Sequence, residues 1–295
     1  MDFNENALRF SAMRLNYSKL SMVKNCPFRF NKQYLEKTAA TNEVEGSAAQ
    51  IGIAVHAIME KVFEDFNNQG QGVVHSDRIR TLMDGAYART FSKIAMTTGE
   101  KDAVLGFESM VENMLMRLLD FAVKNKCKIF PELALAIDKD FNPMSFYVKE
   151  GIFFNGKIDL ILVTPGGRVA IIDHKTGFMS PNGHTDQLRA YEVLVGFALA
   201  PVLKSQYGIE ITSVQTGLNF IADEALVWSP KISIEDIRTT GRDRFVTWVN
   251  TLSDDIVSNE IRRGKHCNWC GYRGFCGSKV GMKAKKAAAA SPVQI

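Results

Sequence analysis

Asp159, Asp173 and Lys175 stand within GKIDLILVTPGGRVAIIDHKTG, and two carboxylates beside an ammonium are what phosphodiester hydrolysis at a divalent ion requires. The stretch reads as two strands. Residues 156–163 are apolar and rich in β-branched side chains, Pro165-Gly166-Gly167 is a turn signal, and 169–173 are apolar again. A three-residue loop closed by Thr164 and Arg168 would set Asp159 opposite Asp173 in an antiparallel pair. Strand alternation then brings Lys175 out on the side of Asp173. Taken singly, an aspartate near a strand end caps a turn and a lysine after a strand is solvated. Their convergence argues for a functional cluster, because Asp159 lies among Ile158, Leu160, Ile161 and Leu162, where an unpartnered carboxylate is costly.

Two further groups could bind metal. His56 sits at the edge of a helical apolar stripe made by Ile51, Val55, Ile58, Met59, Val62, Phe63 and Phe66, with Glu60 one turn on as an ordinary partner. Of the cysteines, Cys267, Cys270 and Cys276 form C-x2-C-x5-C in HCNWCGYRGFC. With no apolar leader at the start, that spacing reads as metal or cluster binding in a cytoplasmic protein rather than as disulfides. Three thiolates leave a tetrahedral or cubane site one ligand short, which Cys26 or, for zinc, His266 would complete. Cys127, between Lys126 and Lys128, reads as a plain thiol.

The elements that must position these residues follow from pattern. A helical region is expected over about 50–126 with a break at 67–72, and the segment carrying Leu105, Met110, Met114, Leu118 and Phe121 is amphipathic. Strands are expected over 132–175, with Glu132 opening the first. A helix follows with Gln187 and Tyr191 on one face, then a strand over 211–221 and a helix started by Ser233-x-x-Asp236. At 295 residues and 46% hydrophobic, the chain can bury a proper core. No apolar run approaches the ~20 residues of a membrane span. Net charge is only +4, but it is unevenly placed: the windows 6–35 and 261–295 hold fourteen cations and no acid, leaving the remainder ten charges negative. Such basic ends beside an acidic centre suit a polyanionic substrate. Tyr17, Phe28, Phe30, Trp269, Tyr272 and Phe275 are interleaved there and would pack around the cysteines or stack on bases. Residues 151–158 superficially match a phosphate-binding loop, but Lys157 is followed by Ile158 rather than Ser or Thr and leads into a strand, so no ATPase is expected.

The motifs together resemble the PD-(D/E)XK nuclease superfamily in its RecB-like branch: GKID, IIDHKTG, Gln187 to Tyr191, Gly52-x3-His56, and an opening segment from Ser18 through Cys26-Pro27 to Tyr34. The resemblance implies an α/β restriction-endonuclease-like core, a mixed central sheet flanked by helices. It implies that His56, Asp159 and Asp173 bind Mg²⁺ or Mn²⁺, the histidine favouring Mn²⁺. Lys175 is then the catalytic lysine, orienting or deprotonating water or stabilising charge, with Gln187 and Tyr191 supporting the site. Glu132 is a looser acidic candidate. The early cysteine and three late ones resemble the iron–sulfur members, where Cys26, Cys267, Cys270 and Cys276 hold a 4Fe-4S cluster that staples the chain ends; zinc is the competing occupant.

The expected organisation is one nuclease domain over 1–278, with 1–49 and 255–278 as the cluster platform, 50–130 helical and 131–254 as catalytic core, then a flexible basic tail over 279–295. The expected activity is a deoxyribonuclease, an exonuclease on single strands or ends in recombination, repair or phage DNA metabolism, either stand-alone or working with a separate helicase or recombinase. A structure-selective endonuclease and a processor of DNA for CRISPR adaptation are alternatives within that chemistry. A non-catalytic zinc- or iron–sulfur-containing nucleic-acid-binding module is the alternative outside it.

Overall fold

Runs of β-branched and apolar residues between the central helices fold as strands of one sheet, seen in a computed structural model that describes residues 1–40, 47–70, 72–179 and 185–277. The strands are β1 (Leu15–Asn16), β2 (Lys128–Ile137), β3 (Pro143–Met144), β4 (Phe154–Val163), β5 (Arg168–Lys175), β6 (Ser213–Phe220), β7 (Ala225–Trp228) and β8 (Ile232–Ser233). Their order is β3-β2-β4-β5-β6-β7, with β1 beside β4 and β8 beside β6. The β5/β6 and β1/β4 pairs are parallel and the rest antiparallel, so the expected mixed sheet is present.

Helices cover both faces. They are α1 (Glu5–Phe10), α2 (Tyr17–Asn25), α3 (Pro27–Phe30), α4 (Ser47–Asn68), α5 (Ser76–Lys93), α6 (Thr98–Leu105), α7 (Glu108–Lys124), α8 (Thr185–Leu194), α9 (Ala200–Tyr207), α10 (Ile234–Asp236) and α11 (Arg242–Ser258). One apolar cluster joins α4, α5 and α7 to Leu160, Leu162 and Ile172, and a second joins α8, α9 and α11 to Ile158, Ile161 and Ile171. Sequence marks several helix starts. Thr97 and Glu100 form a capping box, and Ser233 accepts the Asp236 amide as expected. On α7 the buried stripe is Val111, Met114, Leu115, Leu118, Leu119 and Ala122, whereas Leu105 and Phe121 are exposed. Leu105 ends α6 and so is not part of this stripe, and Phe121 lies beyond its edge, because at 3.6 residues per turn it points away from Leu115, Leu119 and Ala122.

The β4–β5 hairpin has the register read from the sequence. Val163 pairs with Val169, and the Thr164 amide donates to the Arg168 carbonyl at 2.9 Å. Gly167 takes φ +75°, and a Cβ there would lie 1.8 Å from the Glu210 carbonyl oxygen, so only glycine fits the loop against the start of β6.

β2 departs from expectation: it begins at Lys128 and runs through Pro131, so Glu132 lies inside the strand rather than opening it. Proline reads as a boundary because it cannot donate to a ladder. Here it coincides with an irregularity that tolerates it. Glu132 has φ +46°, and the strand pairing skips from Pro131↔Leu160 to Leu133↔Ile158. Both strands change face at this rung. Ile158 joins one core and Leu160 the other, while Phe130 and Leu133, three apart, pack on the same side. Regular alternation would put Ile158 and Leu160 on one face. Paired one-residue shifts keep the register and free Glu132 and Asp159 from the pleat.

The first and last described segments are tied together. Asn31 donates to the Ile256 carbonyl at 2.9 Å and to Asn259 at 2.8 Å, and the Phe28 amide donates to the Glu260 carbonyl at 3.1 Å. The basic tail expected over 279–295 lies outside the described residues. No helix among the described residues is long and apolar enough to cross a membrane.

Candidate metal centre and active site

Three elements bring a histidine and two carboxylates together. His56 projects from α4, Glu132 from the irregular rung of β2 and Asp159 from its counterpart on β4, and one donor atom of each lies within 4.8 Å of the others. Nδ1 of His56 is 3.5 Å from Oδ2 of Asp159. Among the described residues this is the group of three or more such donors close enough to hold one ion. Glu132, the looser sequence candidate, is thus the residue placed with His56 and Asp159, while Asp173 stands beside the trio with its own partners. A nitrogen and two carboxylate oxygens fit a hard or borderline divalent ion such as Mg²⁺ or Mn²⁺.

Asp173 is 1% exposed. Its Oδ2 pairs with Lys175 Nζ at 2.5 Å, and its Oδ1 accepts from Nε2 of Gln187 at 2.8 Å. Lys175 also donates to Oε1 of Gln187 at 3.2 Å, so the three form a closed triangle. Gln187 Nε2 further meets Tyr191 Oη at 2.9 Å, and that hydroxyl reaches the Lys157 carbonyl at 3.3 Å. Gly156 makes this approach possible, since a Cβ there would lie 2.9 Å from Leu194 and 3.4 Å from Tyr191. Asp173, Lys175, Gln187 and Tyr191 thus form one connected group.

The electrostatics follow from burial and crowding. Burial, then the charge of Asp159, pushes Asp173 up to about 6, against the pull of Lys175. Burial opposes charge on His56 too, but the Asp159 carboxylate outweighs it, with Asp173 and Glu132 adding, and the imidazole is raised. Asp159 is likewise penalised by burial, yet His56 and the His174 amide hold it below the usual carboxylate range. Burial raises Glu132, which Lys157 at 2.8 Å partly offsets. An acidic centre with this much stored repulsion is one that a cation would relieve.

Sequence reasoning missed two contributors. Lys157, read only as part of a false phosphate loop, bridges Glu132 and, at 3.6 Å, Glu60. Its place two residues before Asp159 was the available signal. His174 is buried and held down to about 4 by that burial, contacting Asn219 at 2.9 Å and stacking parallel to Phe63. Its backbone amide donates to Asp159 Oδ2 at 2.7 Å. An open cavity of about 500 Å³ faces this centre, walled by Gly52, His56, Glu60, Glu132, Lys157 and Thr176.

The model of the PD-(D/E)XK nuclease superfamily matches residues 14–277. The chain belongs to that superfamily. It is a metal-dependent nuclease, a phosphodiesterase of the kind that uses divalent ions such as Mg²⁺ or Mn²⁺, and the donor set at His56, Glu132 and Asp159 suits one. Among solved structures the nuclease is similar to one titled "Crystal structure of SSO0001", with 14% identity over 76% of this chain and 95% of that chain, at a TM-score of 0.32. No curated protein matches it.

The nuclease carries its cysteines away from this centre. Cys26, Cys267, Cys270 and Cys276 line one small cavity together with Phe28, Arg29 and Tyr272. His266, the alternative zinc ligand, lines it as well, with Nε2 3.0 Å from the Arg262 carbonyl. Cys127 is buried elsewhere, in the α4/α7 cluster. Of the aromatics expected there, Phe28 and Tyr272 pack on the cavity, Trp269 and Phe275 are exposed, and Tyr17 stacks on Trp248.

Proposed function

We propose that this protein is an exonuclease acting on single-stranded DNA or DNA ends, with His56, Glu132, Asp159 and Asp173 as its metal-binding set. The observation that carries the reading is the adjacency of two differently wired clusters: a trio of donors within 4.8 Å and a buried Asp173–Lys175–Gln187 triangle beside it. A bound divalent ion supplies Lewis-acid polarisation of the phosphoryl group and a water of lowered pKa. Lys175 stands where it can orient that water or meet charge growing on phosphate oxygens, and Gln187 fixes its direction. Tyr191 locks Gln187 in turn. Glu132 is held by Lys157 at 2.8 Å, and its carboxylate would help hold the ion.

The four cysteines are proposed to hold a 4Fe-4S cluster. Their meeting at one cavity, from segments more than two hundred residues apart in sequence, supports the reading. The cluster would staple the two basic chain ends into a platform that contacts phosphates. Exposed Trp269 and Phe275 on that platform suit stacking on unpaired bases.

The test is cleavage with Mn²⁺ of linear and covalently closed circular single strands. Linear DNA should be degraded and circles spared. Asp173→Asn and Lys175→Ala should each lower turnover by ~100-fold or more while DNA binding persists. Cutting of circles would make it an endonuclease, and full activity in both variants would remove the proposed centre.

A further inference from the structure

Helix α8 presents two faces. Gln187 and Tyr191 look onto the carboxylate centre, while Asp186, Arg189, Ala190 and Val193, at i, i+3, i+4 and i+7, line a separate cavity. Its far wall is α11, which contributes Arg244, Phe245 and Trp248. The free space is about 120 Å³. On the measure by which one water needs ~10–15 Å³, that admits a flat heterocycle.

The polar groups of this cavity are few and unusual. Trp248 Nε1 is sealed from the free space, so the indole lends the cavity its ring and not its donor. Glu192, on α8, has its carboxyl pushed up to about 7 by burial, against Arg189 and a hydrogen bond to Thr216, so near neutrality it can donate as well as accept. Arg189 and Arg244 are exposed at the rim. Asp186, the one other acid of the lining, is already paired with Lys24 at 2.6 Å. The rim is therefore cationic and the interior apolar and aromatic.

We propose that this cavity is a nucleobase subsite, taking one base of the bound DNA strand against Trp248 and Phe245 while Arg189 and Arg244 hold the flanking phosphates. An aromatic wall answers the face of any base, the Glu192 carboxyl answers its polar edge, and two guanidiniums answer the backbone. A purely apolar ligand would leave the cationic rim unanswered. The subsite rests on the nuclease reading, since α8 serves both faces: a base seated here sets which phosphate reaches Lys175. The helix thus becomes a ruler between a gripped nucleotide and the hydrolysed bond.

The experiment uses the full chain in EDTA, with a labelled single strand carrying one abasic nucleotide at successive positions. At one register from the end, loss of the base should weaken binding roughly tenfold, with little effect elsewhere. Trp248→Leu removes the aromatic wall and should blunt that dependence. Arg244→Ala, at an exposed position, should weaken all strands and lower the salt slope by about one. A flat abasic profile in the wild type, or one unchanged in Trp248→Leu, overturns the proposal. A deoxynucleoside monophosphate that binds and quenches tryptophan while the abasic profile stays flat assigns the cavity to free nucleotides and overturns it equally. Hydrolysis of bis(p-nitrophenyl) phosphate by the wild type with Mn²⁺ tests the nuclease reading on a substrate without a base, so the two failures are distinguishable.

Discussion

The backbone amide of His174 donates to Oδ2 of Asp159 at 2.7 Å, one step beyond the last paired rung of β4 and β5, Leu160↔Ile172. A side-chain oxygen has taken the place of a ladder carbonyl. β5 continues against β6 as far as Lys175↔Phe220, while β4 continues against β2. The two central strands part at this point, and the acidic centre lies in the opening.

Glu132 is the residue whose backbone is bent to reach that centre, and we expect Glu132→Gln to weaken Mn²⁺ binding by ~10-fold or more. Isothermal titration of the DNA-free protein measures it. Unchanged affinity would leave Glu132 as nothing more than the ion-pair partner of Lys157.

Gly167→Ala should destabilise the fold severely, by roughly 3 kcal/mol or more, because the loop demands positive φ and the added carbon collides with Glu210 backbone. Urea unfolding reads the loss directly. Gly166→Ala, where a Cβ meets nothing within 4 Å, is the control and should stay within about 1 kcal/mol.

Glu192 gives a pH signature. Its carboxyl titrates at about 7 when folded against an ordinary 4.5, so the folded state binds the proton more tightly. That contribution is complete below the unfolded value and disappears as pH rises through the folded one. Glu192→Gln should therefore stabilise the protein at about pH 9, by on the order of 2 kcal/mol, and change little at about pH 4. Thermal unfolding of the two proteins across pH would show parallel curves if the carboxyl were instead solvated.

Anaerobically purified protein should be brown, with about four irons and four sulfides per chain. Cys26→Ser should bleach it and lower the melting temperature, since Cys26 would be the proposed ligand from the early segment. A colourless protein holding stoichiometric zinc sinks the cluster assignment.

Much of this was legible before any fold. Two apolar runs around Pro165-Gly166-Gly167 determine a hairpin, and hairpin register follows from loop length, so the approach of Asp159 to Asp173 could be counted out. Gln187 and Tyr191, four apart, had to share a helix face. The superfamily itself was written in the order of these motifs. Local rules sufficed because each depends on residues close in sequence.

What the tertiary structure alone decided is the placing of Glu132 with His56 and Asp159. No local pattern predicts that a strand will run through Pro131, take φ +46° at its next residue and shift faces in step with its neighbour. That arrangement is stable only because two cores hold the strands from opposite sides while the carboxylates stand between them. The gathering of Cys26 with three cysteines near the other end is of the same kind, because it depends on α2 and α3 packing against α11. Contacts between segments distant in sequence are set by the packing of whole elements, and sequence spacing carries no measure of them.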